Sequence, residues 1–222
     1  MAHLNLGVFV SGRGSNLQSI IEACETGRID ASVVLVISDK AEAYALERAR
    51  QHNIAAVHVR VGKTDSPEHA AADRRHVELL AEHEVNLVCL AGYMRRIGPE
   101  VMAAYPEAIL NIHPALLPSF SGTHGQHDAA EYGVRAAGCT VHFAWPEFDT
   151  GPIIIQAVVP VLEGDDGDSL AARILAQEHK IYPQAIQWYA QDRLTIQGRR
   201  IIVANAPPPT ILDAIINPGL DI

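Results

Sequence analysis

Leu4-Asn5-Leu6-Gly7-Val8-Phe9-Val10-Ser11-Gly12-Arg13-Gly14-Ser15-Asn16 reads as a short apolar strand running directly into a glycine-rich loop. Leu17, Ile20, Ile21 and Cys24 then recur at helical spacing, and Gly27 closes the helix. Strand, glycine-rich turn and helix form the opening unit of an α/β fold. The glycines allow close backbone approach, and a helix N-terminus offers unpaired N–H groups to an anion. Ser15 and Asn16 add side-chain donors. Three readings stand at this point: an anion site suited to a monophosphate, a dinucleotide site, and a tight βα turn. For a dinucleotide, Asp39 after the next strand would be the ribose-binding acid, but Leu17 replaces the third glycine of G-x-G-x-x-G.

The same alternation continues outward. Val33-Val34-Leu35-Val36-Ile37 is a β-branched run suited to a strand buried on both faces. A helix is expected over Ala41–His52 and a third strand over Ile54–Val61. Ser66 and Pro67 start a helix running to about Glu84. Asn86–Ala91 reads as strand four, Pro99–Tyr105 as a short helix and Ala108–Ile112 as strand five. A helix over His124–Ala137, strands over Cys139–Ala144 and Ile153–Val161, and a long helix capped by Asp168 and Ser169 and reaching about Gln191 follow. Leu194–Val203 resembles a hairpin, and Pro207-Pro208-Pro209 opens a tail. These are βαβ units around a mostly parallel twisted sheet, with helices on both faces.

With 222 residues, 48% of them hydrophobic, the chain suits one core, with residues 1–198 as a single domain and 199–222 as the hairpin end and tail. No apolar run approaches the ~18 residues of a membrane span. The N-terminal residues lack the basic start of a secretory signal. Cys24, Cys89 and Cys139 are scattered and odd in number, as suits reduced core thiols in a cytoplasmic protein. A net charge of −9 argues against a general nucleic-acid binder, although a local pocket can still favour an anionic small molecule.

Asn111-Ile112-His113-Pro114-Ala115-Leu116-Leu117-Pro118 carries the chemistry. It follows the apolar run of strand five. Residues two apart in a strand face the same side, so Asn111 and His113 present an amide and an imidazole together. Asp149, in the loop Glu147-Phe148-Asp149-Thr150-Gly151-Pro152, is a carboxylate that could orient the imidazole and favour its protonated form toward a developing oxyanion. Its other reading is an Asp-x-Gly turn. His124, His127 and His142 invite a metal hypothesis with His113, but no recognised ligand spacing supports it, and surface or loop positions account for them. On the long helix, Glu178 falls inside the stripe of Leu170, Ile174, Ile181, Ala185 and Trp188. A carboxylate there needs a partner or a pocket.

Taken in order, Ser11–Asn16, Leu90–Arg95, Asn111–Pro118, Asp149–Pro152 and Gln177–Pro183 resemble the phosphoribosylglycinamide formyltransferases, folate-dependent enzymes of purine biosynthesis. The resemblance covers about residues 4–198. It implies a Rossmann-like formyltransferase fold and transfer of a formyl group from 10-formyltetrahydrofolate, as co-substrate, to the primary amine of glycinamide ribonucleotide. By the same resemblance, Asn111, His113 and Asp149 are catalytic. Gly14, Ser15 and Asn16 hold the substrate phosphate, with Gln177 and Glu178 lining the ribonucleotide site. Met94, Arg95, Arg96 and Ile97, the loop of Trp145, Pro146, Glu147 and Phe148, and Asn111 and Asp149 meet the folate. No metal, nucleic acid or membrane is implied, and the protein is expected as a monomer or homodimer.

Some positions depart from the family pattern. Arg96 stands for an aliphatic residue, Gly98 for serine and Ser121 for proline. The family arginine that meets the folate tail has no match near Pro67, leaving Lys63, Arg74 or Arg75 to replace it. Two related activities remain as alternatives. Formyltetrahydrofolate hydrolases usually carry an N-terminal regulatory domain, for which a first strand at Leu4 leaves no room. Methionyl-tRNA formyltransferases carry a C-terminal tRNA-binding domain, for which the tail is too short. A non-catalytic nucleotide-binding module would need the glycine-rich loop but not Asn111, His113 and Asp149 together.

Overall fold

A computed structural model describes residues 3–122 and 124–206. The strands are β1 (Leu4–Val10), β2 (Ala31–Ser38), β3 (Ala55–His58), β4 (Leu87–Leu90), β5 (Ile109–His113), β6 (Ala136–Phe143), β7 (Ile153–Pro160), β8 (Leu194–Gln197) and β9 (Arg200–Val203). The helices are α1 (Ser15–Glu25), α2 (Tyr44–Gln51), α3 (Pro67–Glu82), α4 (Pro99–Ala104), α5 (Gly125–Tyr132) and α6 (Gly167–Ala190). All strands join one sheet in the order β3-β2-β1-β4-β5-β6-β7-β9-β8. From β3 to β5 the pairing is parallel; β6 then runs antiparallel to β5, and β7 to β6. The hairpin of β8 and β9 attaches to β7 through Ile153 and Arg200, so the expected boundary at residue 198 falls inside its turn.

Alternation along the central strands builds two cores. Leu6, Val8 and Val10 of β1 pack with α1, α2, α5 and α6, whereas Phe9 points to the opposite face, which α3 and α4 cover. Along β2 the register shifts where Leu6 pairs with Val33 and Gly7 with Leu35, which leaves Val34 as an extra residue. That bulge turns Val33 and Val36 to one core and Leu35 and Ile37 to the other.

Strand order reverses between β1 and β4, and in open α/β sheets such a switch point leaves a crevice outside the carboxyl ends of the strands. The loops after β1 and β4 therefore diverge around that crevice, with the end of β5 beside it. Tyr182 of α6, fully buried, brings its hydroxyl 3.1 and 3.0 Å from the carbonyl oxygens of Leu90 and Leu110. It fastens the long helix to the end of β4 and the start of β5. Pro183 is accommodated within α6.

Several boundaries differ from the sequence expectation. The helix expected over His124–Ala137 ends at Tyr132, where Gly133 takes a left-handed conformation, and Ala136 and Ala137 already belong to β6. The cap of α6 is Asp166, whose carboxylate accepts the Ser169 amide at 2.8 Å while the Ser169 hydroxyl accepts the Asp166 amide at 3.0 Å. Asp168 instead lies in the first turn of α6. Strand three is limited to Ala55–His58. The proline tail from Pro207 lies outside the described residues.

Candidate active site

The glycine-rich loop is held from both sides. Gly14 caps α1 with φ 71°, and a Cβ added there would come 2.6 Å from the Cβ of Ala45, so glycine is required twice over. Arg48 of α2 donates from Nε to the Arg13 carbonyl at 2.9 Å, and Ala45 N donates to Gly12 O at 3.1 Å. No side chain caps the N-terminus of α1. Arg13, Ser15 and Asn16 instead border a cavity of about 550 Å³ that occupies the crevice. The Asn16 amide donates to Glu178 Oε2 at 2.7 Å, joining α1 to α6. Glu178 is 6% exposed, and burial raises its pKa above the usual carboxylate range while the Asn16 bond opposes this.

Asn111 and His113 enter the same cavity from the end of β5. His113 is buried, with Nε2 3.0 Å from the Phe120 carbonyl and Nδ1 3.5 Å from Asp149 Oδ2. Both ring nitrogens thus face oxygen atoms, a backbone carbonyl on one side and a carboxylate on the other. Asp149 has a left-handed backbone, φ 54°, in the loop between β6 and β7, and it also accepts the Gly122 amide at 3.1 Å. The segment after His113 is fixed by Thr140, whose hydroxyl donates to Ala115 O at 2.7 Å and accepts Leu117 N at 3.2 Å.

His142 joins this group, contrary to the expected surface or loop position. It is 1% exposed and pairs directly across from Asn111 in the β5–β6 ladder. Its Nδ1 donates to the Phe143 carbonyl at 2.8 Å, which leaves the Nε2 lone pair to accept the Asn111 amide at 3.1 Å. Burial lowers its pKa, in keeping with that neutral tautomer. The only sequence signal was a histidine inside the apolar run Cys139–Phe143. Asn111 retains a second amide N–H for a ligand. His127 lies elsewhere, 3.9 Å from Asp168, and no group of three or more metal-ligating side chains occurs among the described residues.

The opposite wall is made by two loops. Met94, Arg95, Arg96 and Ile97 line it after β4, and Trp145, Pro146 and Phe148 line it after β6. Arg96 bridges them: its guanidinium donates to the Pro146 carbonyl at 2.8 Å and lies 5.9 Å from the Phe148 ring centre. An aliphatic residue could not make this link. Gly98 also has a physical reason. The Asp73 carboxylate of α3 occupies the space of a side chain there and accepts the Glu100 amide at 2.8 Å, capping α4 in place of a serine hydroxyl. Ser121 is exposed, and nothing in the structure explains it.

Not every expected residue reaches the cavity wall. Gln177 is half-buried beside Lys180, Glu147 offers its carbonyl to Thr150, and Gly14 shapes the loop behind its neighbours. Of the candidate tail cations, Arg74 pairs with Glu100 and Arg75 with Glu78 and Glu82, whereas Lys63 and Arg75 border a separate hollow with Arg60 and Glu68.

A family model described as formyl transferase matches residues 4–186. Phosphoribosylglycinamide formyltransferase of Escherichia coli strain K12 is 45% identical over 191 residues, 86% of this chain and 89% of that protein. The crystal structure of glycinamide ribonucleotide transformylase 1 from Symbiobacterium toebii matches with a TM-score of 0.88 at 50% identity, covering 92% of this chain and 96% of that one. A formyltetrahydrofolate deformylase from Pseudomonas syringae is similar in fold, with a TM-score of 0.85 at 25% identity over 92% of this chain and 67% of that one.

Proposed function

The chain belongs to the formyl transferase family, and from that premise we propose that it is a phosphoribosylglycinamide formyltransferase of purine biosynthesis. It transfers the formyl group of 10-formyltetrahydrofolate to the primary amine of glycinamide ribonucleotide. The observation that carries this reading is the convergence of Asn111, His113 and Asp149 on one cavity, between a helix-terminal anion loop and a second wall of apolar and aromatic side chains.

The ribonucleotide phosphate sits at the N-terminus of α1, held by Ser15 and Asn16. Glu178 meets the ribose or amine portion. The folate enters between the Met94–Ile97 and Trp145–Phe148 loops, its formyl group reaching the end of β5. The amine attacks the formyl carbon, a C–N bond forms, and negative charge gathers on the formyl oxygen. Protonated His113 and the free Asn111 N–H donate to that oxygen. Asp149 holds the imidazole in place. The adduct then collapses by breaking the bond to N10, as the proton lost by the amine reaches N10 through His113 or water. Fixing both substrates in one cavity supplies much of the remaining acceleration.

The thiols, two buried and one half-buried, fit a reducing cytoplasm. Cys24, Cys89 and Cys139 are unpaired, and burial raises the Cys24 and Cys139 pKa values to about 11 and about 12, which keeps them unreactive. No helix among the described residues is long and apolar enough to cross a membrane.

The likeness to a deformylase supplies a second reading, with water in place of the amine. Absorbance at the formyl folate, followed with and without glycinamide ribonucleotide, separates the two. Turnover that requires the amine supports the transferase, and equal turnover without it selects the hydrolase.

A further inference from the structure

Asp39, the acid that a dinucleotide site would have used, has a different task. It stands just beyond β2, its side chain is 1% exposed, and it is not part of the cavity wall. A carboxylate buried this deeply is costly unless its oxygens are occupied. Both are. Oδ1 accepts the Ser11 hydroxyl at 2.5 Å, and Oδ2 accepts Arg95 Nε at 2.9 Å. The Ser11 oxygen in turn accepts the Met94 amide at 2.9 Å, and the Ser11 amide donates to Gly92 O at 3.1 Å. Ser11 opens the glycine-rich loop; Met94 and Arg95 begin the loop on the other wall.

We propose that Asp39 is a positioning residue that sets the Met94–Ile97 backbone against the glycine-rich loop and so shapes the folate half of the cavity. This rests on the folate reading of that wall. Asp39 fixes the direction of the Ser11 O–H, which turns the Ser11 lone pairs toward the Met94 amide. It also draws the base of the Arg95 guanidinium toward the sheet, so that the loop is fastened at two successive residues. No substrate need touch Asp39 for it to act.

In Asp39→Asn the side chain keeps its shape, but the neutral amide accepts through Oδ1 alone, so either the Ser11 hydroxyl or Arg95 Nε loses its acceptor. The variant is expected to raise the KM for 10-formyltetrahydrofolate roughly tenfold, the loss expected for one charge-assisted hydrogen bond, with the ribonucleotide KM changed less than about twofold. Arg95→Met should move the same constant in the same direction, and the double variant should be no worse than the weaker single. Amide hydrogen exchange on the free enzyme should accelerate at Met94 and Arg95 in Asp39→Asn, and more in Asp39→Ala. An unchanged exchange rate at Met94 overturns the proposal whatever the ligand is. Accelerated exchange with both KM values raised equally reduces Asp39 to general support of the fold and also overturns it. Failure of the wild-type enzyme to bind tetrahydrofolate, measured by Trp145 fluorescence, would instead remove the folate reading on which the proposal stands.

Discussion

The Asn16 amide and the Glu178 carboxylate meet at 2.7 Å across 162 positions of sequence, the glycine-rich loop on one side and the longest helix on the other. Asn16 Oδ1 is buried and has no partner among the described residues, and Glu178 is held with a raised pKa in the wall of the cavity. On the proposed function, the pair presents two groups to the ribonucleotide. Asn16→Ala and Glu178→Ala should each raise the ribonucleotide KM about tenfold or more, as expected for losing hydrogen bonds that involve a charged group. The folate KM should stay within about twofold. Steady-state kinetics with each substrate varied in turn checks this, and equal effects on both substrates would remove the assignment.

The Arg96 link between the Met94–Ile97 and Trp145–Phe148 loops, which the proposed reading gives to the folate, predicts a second asymmetry. Arg96→Leu restores an aliphatic side chain but loses the bond to the Pro146 carbonyl and the contact with Phe148. The folate KM should rise several-fold, about the worth of one exposed charge-assisted bond, through faster release rather than slower association. Stopped-flow fluorescence of Trp145 separates the two rates.

Much of this architecture was legible in the chain, for reasons visible in particular residues. β1, its glycine loop and α1 announce themselves because apolar runs and glycine positions are local signals. Ser66 and Pro67 mark the start of α3 in the same way, and Ser66 does accept the His69 amide. The end of α5 was misplaced because apolar Val134, Ala136 and Ala137 fit either period, and Gly133 decides the matter only through its backbone conformation. Asp166, Asp168 and Ser169 are close enough in sequence that only geometry shows which carboxylate caps. His142 escaped because its meaning comes from standing opposite Asn111 in the ladder. The Ser11–Asp39–Arg95 network escaped for a related reason: three adjacent strand ends meet there only once the order of the sheet is known.

Asp166 and Asp168 offer a local test of that cap. Asp166→Ala removes the bond to the Ser169 amide and should lower stability measurably. Asp168→Ala should be nearly neutral, because its side chain is 93% exposed. Urea denaturation of the two variants distinguishes them, and the reverse order would contradict the assignment.

His76 predicts a pH effect on stability. It is buried against the Phe9 ring, its Nε2 has no hydrogen-bond partner among the described residues, and burial lowers its pKa to about 4. An unfolded chain takes up this proton near pH 6.5, whereas the folded chain resists it until about pH 4. Between those values the unfolded state binds more protons, so stability present above pH 6.5 is progressively lost as pH falls through the window. The contribution is about 3 kcal/mol at most. His142, shifted in the same direction, adds to it. His76→Leu should flatten the slope of unfolding free energy between pH 6.5 and 4, and an unchanged slope would show that His76 does not titrate this way.

The central claim is that His113, flanked by Asp149 and the Phe120 carbonyl, stabilises the oxyanion and handles the proton while the attacking nitrogen belongs to the substrate. The most direct measurement is single-turnover formyl transfer by His113→Ala, with the affinities for both substrates determined on the same protein. The expected result is a rate lowered by about 10³-fold or more with both affinities within a few-fold of wild type, as for loss of a principal donor to a developing oxyanion. A near-wild-type rate in a protein that binds both substrates would contradict it.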